Sequence, residues 1–171
     1  MVNLRFVMYY TYYQSPLGDI ELTANDQGLT TLTFVNGKNY QENSTWTLPK
    51  SHQESPEKFT IVCQQLTEYF NGERKTFDLP LAATGTPFQQ KVWRALCTIR
   101  QGETKTYGWL AKQINNEKAV RAVGSANGMN PIALIVPCHR VIGSNGKLTG
   151  YAGGLALKAK LLMHEGASFK P

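Results

Sequence analysis

The 171-residue sequence is short of the features that mark several specialised classes of protein. It has only three cysteines, Cys63, Cys97 and Cys138, and an odd number at irregular spacing does not make a disulfide framework. No apolar run approaches the ~20 residues that a helix needs to span a bilayer, and no small-residue cleavage site follows the N-terminal stretch. We therefore expect a globular protein of a reducing compartment, the cytoplasm, with no signal peptide and no membrane association.

Acidic residues are scarce in the second half of the chain. Residues 86–171 hold 12 Lys and Arg but only 3 Asp and Glu, a net charge of +9, whereas residues 1–85 hold 6 against 9, a net charge of −3. This asymmetry favours a polyanionic partner for the second half, and nucleic acid is slightly favoured over a solvated basic face without a partner.

The N-terminal half predicts a small sheet with one helix. Three stretches, MYYTYYQ, DIELTAN and GLTTLTFV, have the composition and alternation of strands. Asn36-Gly37 predicts a turn and the polar run 38–54 a loop. Ser55-Pro56-Glu57 then predicts a capped helix start, and Asn71-Gly72 predicts its end. No side chains typical of catalysis gather here, so we predict residues 1–85 to be a scaffold domain.

The C-terminal half, residues 86–171, predicts a mainly helical domain. Thr86-Pro87 gives a second start with a capping residue followed by proline, and Thr106 is placed to cap a shorter helix, YGWLAKQI. A polar turn at Asn115-Asn116 leads to a third helix, EKAVRAVGSANG. Two short helices joined by a tight turn in a basic region are typical of a helix-turn-helix DNA-binding motif.

The second helix of this motif carries almost no bulky side chains. Close packing against another helix would explain this composition. So would a helix thin enough to enter a DNA groove, with Arg121 as its long side chain, and the residues alone leave both interpretations open. The small residues are Ala119, Ala122, Gly124, Ser125, Ala126 and Gly128.

Cys138 differs from the other two cysteines in its surroundings. We predict that Cys63 and Cys97 lie in the core, on the apolar faces of their helices. Cys138 instead follows the run IALIV, which two prolines bracket and which we therefore expect to be extended and buried. Neighbouring side chains of an extended segment point apart, so His139 would reach Cys138 only through a water.

An acid near the end of the last predicted helix, LALKAKLLMHEG, is a candidate partner for this histidine. Glu165 sits unfavourably with the helix dipole there, which suggests another role for its carboxylate, and orienting His139 is the role we expect. From the residues alone, catalytic and structural roles for Cys138, His139 and Glu165 are evenly balanced.

Four stretches of the second half strongly resemble one family, the O6-alkylguanine-DNA alkyltransferases, and most closely their bacterial form. They are RAVGSANGMNP (121–131), IVPCHRVIG (135–143), TGYAGG (149–154) and LLMHEG (161–166). The resemblance is looser over the N-terminal half, where SPLG agrees. It implies an α+β fold, with a ribonuclease-H-like N-terminal domain of a small antiparallel sheet and a helix, and a winged-helix-like C-terminal domain.

The resemblance implies a single-turnover repair enzyme. It transfers the alkyl group of O6-alkylguanine, and also of O4-alkylthymine, from duplex DNA irreversibly to its own Cys138. His139 and Glu165 would form a relay with a water that removes the thiol proton. Asn130 would brace the turn that presents the cysteine. Tyr107 would help to rotate the nucleotide and would stabilise the departing guanine.

Further residues are implied to contact the nucleic acid. Arg121 would enter the duplex from the minor groove and take the place of the flipped base, and Ala122, Gly124 and Ala126 would let the helix lie close to the DNA. The pocket for the flipped base would be lined by Tyr107, Val141, Tyr151, Ala152 and Gly153.

We expect no cofactor and no metal, and a monomer without an obligate protein partner. Some relatives bind zinc through N-terminal Cys and His residues, but the first 62 residues here contain no cysteine and only His52. In the family the position of Ala152 can be serine, so a contact to O6 from this residue would come from its backbone. Three alternatives are an alkyltransferase-like protein that binds damaged DNA without transferring, a Cys-His hydrolase and a helix-turn-helix regulator. The presence of Cys138 argues against the first. A hydrolase does not explain the helix without bulky side chains, and a regulator would need long side chains on that helix to contact base edges.

Overall fold

The computed structural model describes residues 7–35 and 49–171. The chain divides into two compact units, Met1–Ala83 and Thr84–Pro171. The predicted boundary between residues 85 and 86 lies two residues from this division.

The first unit contains a four-stranded sheet of order β3-β2-β1-β4. The strands are β1 (Tyr9–Ser15), β2 (Gly18–Asn25), β3 (Gly28–Phe34) and β4 (Gln53–Glu54). The first three pair antiparallel, at the places that their residue patterns predict, and β4 pairs parallel to β1. The prediction of a loop throughout 38–54 is therefore wrong at Gln53 and Glu54, because two residues are too few to show a strand's alternation. The turn predicted at Asn36-Gly37 lies outside the described residues.

One helix packs on this sheet. It begins as a 3-10 turn (Pro56–Phe59) and continues as α1 (Thr60–Phe70), ending before Asn71 as predicted. The predicted cap at Ser55 is wrong, because its hydroxyl donates to the Glu57 carboxylate and accepts no hydrogen bond from the helix. The core between helix and sheet consists of fully buried side chains, among them Ile20, Leu22, Leu32, Phe59, Leu66 and Tyr69.

The second unit is mainly helical, and its helix starts follow the predicted caps. Helix α2 (Pro87–Leu96) begins with a capping box, in which Thr86 Oγ1 accepts from the Gln89 N–H at 3.1 Å and Gln89 Oε1 accepts from the Thr86 N–H at 2.9 Å. Helix α3 (Tyr107–Gln113) is capped by Thr106, whose hydroxyl accepts from the Trp109 N–H at 3.1 Å. Helix α4 (Val120–Gly128) begins later than predicted, because the Ala119 N–H donates to the Asn116 carbonyl and closes a separate turn.

One face of α4 is packed and the other is exposed, so close packing explains the small residues of the first face, and entry of the second face into a DNA groove stays a prediction. Val123, Ala126 and Asn127 are buried, and the Trp93 indole of α2 donates to the Ala126 carbonyl at 2.9 Å. Arg121, Ala122, Ser125 and Gly128 are exposed.

The segment after α4 is turned rather than extended. The Val136 N–H donates to the Ile132 carbonyl at 3.1 Å, and Leu134 has a φ of 71°. The expected burial is confirmed, since Ile132, Leu134 and Val136 are 5% exposed or less. The prediction of an extended chain is wrong, because proline is disfavoured inside a helix but is compatible with a tight loop that side chains close. Cys138–Arg140 is likewise a 3-10 turn and not extended chain.

The remaining elements complete the second unit. A two-residue strand, β6 (Val141–Ile142), pairs parallel with β5 (Lys105–Thr106). The last helix, α5 (Leu155–His164), begins where it was predicted to begin and ends two residues before the predicted end at Gly166. The predicted core positions of two cysteines are wrong. Cys63 is half-buried and Cys97 is exposed, because Cys97 caps the end of α2 beyond its last buried turn. Over the described residues, no helix is long and apolar enough to cross a membrane.

Candidate active site

Cys138 lies in the 3-10 turn that follows Pro137 and is 6% exposed. Its backbone N–H donates to the Val136 carbonyl at 2.8 Å, which tightens the approach to the turn. Burial raises the pKa of the Cys138 thiol above its ordinary value, and the Asn130 amide, the Lys158 charge and nearby backbone N–H groups oppose that rise. The thiol therefore needs a base or a neighbouring charge to become a nucleophile.

Asn130 holds together the loop that leads to this cysteine. Its side-chain Nδ2 donates to the Val136 carbonyl at 2.8 Å, and its Oδ1 accepts from the Ile132 N–H at 3.0 Å. One amide thus closes both ends of a five-residue loop, which explains why this stretch is turned. The position fits the bracing role that the resemblance implies.

His139 and Glu165 form a buried pair. His139 Nε2 lies 2.8 Å from Glu165 Oε1, and both side chains are fully buried. Burial lowers the pKa of His139, with Glu165 opposing, so the ring is neutral and donates from Nε2 to the carboxylate. Nδ1 then carries a lone pair, and it is buried without a hydrogen-bond partner among the described residues. This nitrogen can therefore accept a proton as a base.

Arg140 is a member of this cluster that the sequence reasoning did not assign. Its Nε donates to Glu165 Oε2 and its Nη2 to Glu165 Oε1, both at 2.9 Å, and its Nη1 donates to the Ile99 carbonyl at 2.6 Å. Burial alone would raise the pKa of Glu165, but the hydrogen bonds from His139 and Arg140 outweigh it and lower the pKa to about 2. Glu165 is therefore ionised, and its unfavourable place at the helix end is explained by two partners.

Lys158 is the second residue that was missed. It is fully buried, and its Nζ donates to the Val141 carbonyl at 2.6 Å and to the Thr149 carbonyl at 2.8 Å. Burial lowers its pKa to about 8, while the nearby Cys138 opposes the shift. A signal was present in the sequence, because Lys158 shares the i, i+3, i+4, i+7 face of α5 with Leu161, Leu162 and Glu165, all buried.

The residues predicted to line a base pocket fall into two groups. Tyr107 reaches the loop 149–154, since its hydroxyl accepts from Thr149 Oγ1 at 3.1 Å. In that loop Tyr151 and Gly153 are half-buried and Ala152 is exposed. Val141 is instead fully buried in the core, and its carbonyl accepts from Lys158 Nζ at 2.6 Å.

The residues predicted to contact DNA differ in their exposure. Arg121 and Ala122 are exposed on α4 and Gly124 is half-buried. Ala126 is 3% exposed and its carbonyl accepts from the Trp93 indole of α2, so its side chain is not on the exposed face that carries Arg121. The prediction treated the small residues of α4 as one group, whereas the helical period places them on two faces.

Comparison with known proteins identifies relatives of both units. Residues 87–167 match the family described as 6-O-methylguanine DNA methyltransferase, DNA binding domain, and residues 8–83 match 6-O-methylguanine DNA methyltransferase, ribonuclease-like domain. The α+β fold with a ribonuclease-like N-terminal domain, and the resemblance read from the four motifs, are thereby confirmed.

Individual relatives match over nearly the whole chain. A methylated-DNA–protein-cysteine methyltransferase of Methanosarcina acetivorans is 53% identical, over 94% of this chain and 99% of the relative. The constitutive enzyme of that name from Bacillus subtilis is 46% identical, over 95% and 98%. A crystal structure of Mycobacterium tuberculosis OGT in complex with DNA superposes with a TM-score of 0.83, at 46% identity and over 92% of each chain.

Proposed function

The chain belongs to the 6-O-methylguanine DNA methyltransferase family, and we propose that it repairs DNA by moving the alkyl group of O6-alkylguanine onto its own Cys138. The observation that carries the assignment of residues is the arrangement around this thiol. Cys138 sits on a turn braced by Asn130, and the adjacent His139 pairs with an ionised Glu165 and keeps Nδ1 unpaired. We expect the protein to act as a monomer on duplex DNA in the cytoplasm, with O4-alkylthymine as a second substrate.

The proton of the thiol leaves first in this proposal. It passes from Cys138 Sγ through a water to His139 Nδ1, and the imidazolium that forms is stabilised by the Glu165 carboxylate at 2.8 Å. Arg140 holds the carboxylate from two directions, so Glu165 stays in line with the ring during the transfer. The charge of Lys158 favours the resulting thiolate.

The thiolate then displaces guanine from the alkyl carbon. The S–C bond forms as the C–O6 bond breaks, and the electron pair of that bond passes to the purine. The proton that His139 took up is given back through water to the purine, so that ordinary guanine remains in the DNA and the histidine is neutral again. The hydroxyl of Tyr107 is placed by Thr149 to stabilise the developing charge. The alkyl thioether that forms is stable, because a thiolate is a poor leaving group from carbon, so each molecule reacts once.

Positioning contributes more to the rate than ionisation does. A thiol of ordinary pKa near ~8.5 is only a few per cent ionised at neutral pH, so complete ionisation is worth roughly 30-fold, about 2 kcal/mol. Holding an alkyl carbon in line with sulfur supplies ~7 kcal/mol or more in favourable cases. This comparison explains why so many contacts in the site fix geometry, among them both hydrogen bonds of Asn130.

The target carbon lies inside the base stack, so the nucleotide must be extruded at a cost of a few kcal/mol. Arg121 is exposed on the first turn of α4 and can fill the vacated place, which offsets part of that cost. The small exposed side chains beside it let the helix approach the groove without reading base edges. A repair protein gains from this indifference to sequence.

Mass spectrometry tests the assignment. We expect a duplex with O6-methylguanine to add one methylene, about 14 Da, to the peptide that carries Cys138, and to leave the Cys138→Ser protein unmodified. An exposed cysteine in the same unit supplies the control, since Cys97→Ser should react as the wild type does. An adduct on Cys97, or none on Cys138, would overturn the proposal.

A further inference from the structure

The solvent face of α4 ends in an exposed methionine. Met129 follows the last residue of the helix and is 63% exposed. At 100° per residue, Ser125 and Met129 lie about 40° and about 80° around the axis from Arg121, so all three belong to one face. On this face, the residues between the long side chains of Arg121 and Met129 are small.

We propose that Met129 is a second DNA contact, which packs on the sugar edges of the minor groove at the opposite end of α4 from Arg121. This inference rests on the proposed function, because it takes the duplex to lie along α4. Arg121 and Met129 are eight positions apart, a rise of about 12 Å along the helix, or roughly three to four base pairs of duplex.

The chemistry of the two ends differs in a way that suits this groove. Arg121 and the exposed Lys118 bring positive charge to one end of the face, where phosphates line the groove. Met129 brings an unbranched, polarizable and uncharged side chain to the other. The walls of the minor groove between phosphates are deoxyribose C–H groups, an apolar surface on which a flexible methionine side chain can pack. A contact of this kind reads no base, as repair at any sequence requires.

The position of Met129 also couples this contact to the reactive cysteine. The next residue is Asn130, whose amide closes the loop that leads to Cys138. A fixed contact between Met129 and the duplex would therefore fix how closely the loop that carries Cys138 approaches the DNA. We expect its loss to slow reaction with duplex DNA and to leave reaction with the free base O6-benzylguanine unchanged.

Binding to an undamaged duplex at several salt concentrations separates the apolar contact from a charged one. We expect Met129→Ala to weaken binding by about fivefold to thirtyfold, the range for losing most of one buried methionine side chain. The slope of log affinity against log salt should not change, because no phosphate contact is lost, whereas Arg121→Ala should reduce the slope by about one. Met129→Leu should bind within about twofold of the wild type.

The matched control is Met163, which is 68% exposed and lies on α5. Met163→Ala should leave binding unchanged.

Oxidation with hydrogen peroxide gives an independent readout, in which saturating duplex should slow sulfoxide formation at Met129 by about fivefold and at Met163 by less than about twofold.

Equal oxidation of Met129 with and without duplex, or a Met129→Ala protein that binds as the wild type does, would overturn the inference. In that case alkylation of Cys138 by damaged duplex would still support the proposed function. If Arg121→Ala also bound normally, the duplex would not lie along α4, and the DNA-facing role of this helix would fail as well.

Discussion

Replacing Glu165 by glutamine should remove a large and pH-dependent part of the stability of the C-terminal unit. The folded protein lowers the pKa of Glu165 from 4.5 to about 2. A difference of about 2.5 units corresponds to about 3 kcal/mol. Because the folded-state pKa is depressed, this stabilisation is fully present above pH 4.5 and is lost as the pH falls from there towards 2. Glutamine cannot ionise, and it leaves Arg140 buried with its charge unpaired.

Urea unfolding across a pH series measures this effect. At pH 7 we expect Glu165→Gln to unfold at a urea concentration about 1–3 M lower, given a slope of about 1–3 kcal/mol/M. Between pH 4.5 and 2 the wild-type protein should lose stability more steeply than the variant. Glu103→Gln, at an exposed acid of the same unit, should match the wild type at every pH.

Alkyl transfer should fall along with stability, because His139 loses the charge that stabilises its imidazolium form. A Glu165→Gln protein with the wild-type dependence of stability on pH would contradict this prediction. So would a variant that reacts with O6-benzylguanine at the wild-type rate under conditions where it is folded.

Three further predictions concern neighbouring residues. Asn130→Ala should cost about 1–3 kcal/mol in urea unfolding, because the buried Val136 carbonyl loses its donor, and it should slow alkyl transfer; an unchanged rate would remove Asn130 from the bracing role. Lys158→Met should move the pH midpoint of Cys138 alkylation by iodoacetamide upward, since a nearby cation favours the thiolate; a midpoint that stays in place would contradict this. Arg121→Ala should slow reaction with alkylated duplex by at least about tenfold and spare free O6-benzylguanine, whereas equal losses on both would argue against base replacement.

The sequence predicted the parts of this molecule that depend on local chemistry. Thr86 and Thr106 were identified as helix caps because a hydroxyl before a helix satisfies backbone N–H groups of its first turn. Glu165 was singled out because an acid is unfavourable at a helix end. The family resemblance came from short motifs whose residues all lie within one unit.

Features that depend on contacts distant in sequence were missed or predicted wrongly. The loop before Cys138 is turned because Asn130 bonds to residues two and six positions away, which no proline pattern reveals. Arg140 finds its carboxylate 25 residues further along the chain. Ala126 was placed with the DNA-facing residues because its small size was noted and its position around the helix was not.

The most direct test of the central claim is a count of repair events per molecule. Known amounts of protein are mixed with an excess of duplex carrying O6-methylguanine, and the remaining lesion is measured by chromatography until the reaction stops. We predict that each protein molecule removes one methyl group and then stops, with Cys138 fully converted to the thioether. Continued loss of lesions beyond one per protein, or a reaction that stops with Cys138 still unmodified, would contradict it.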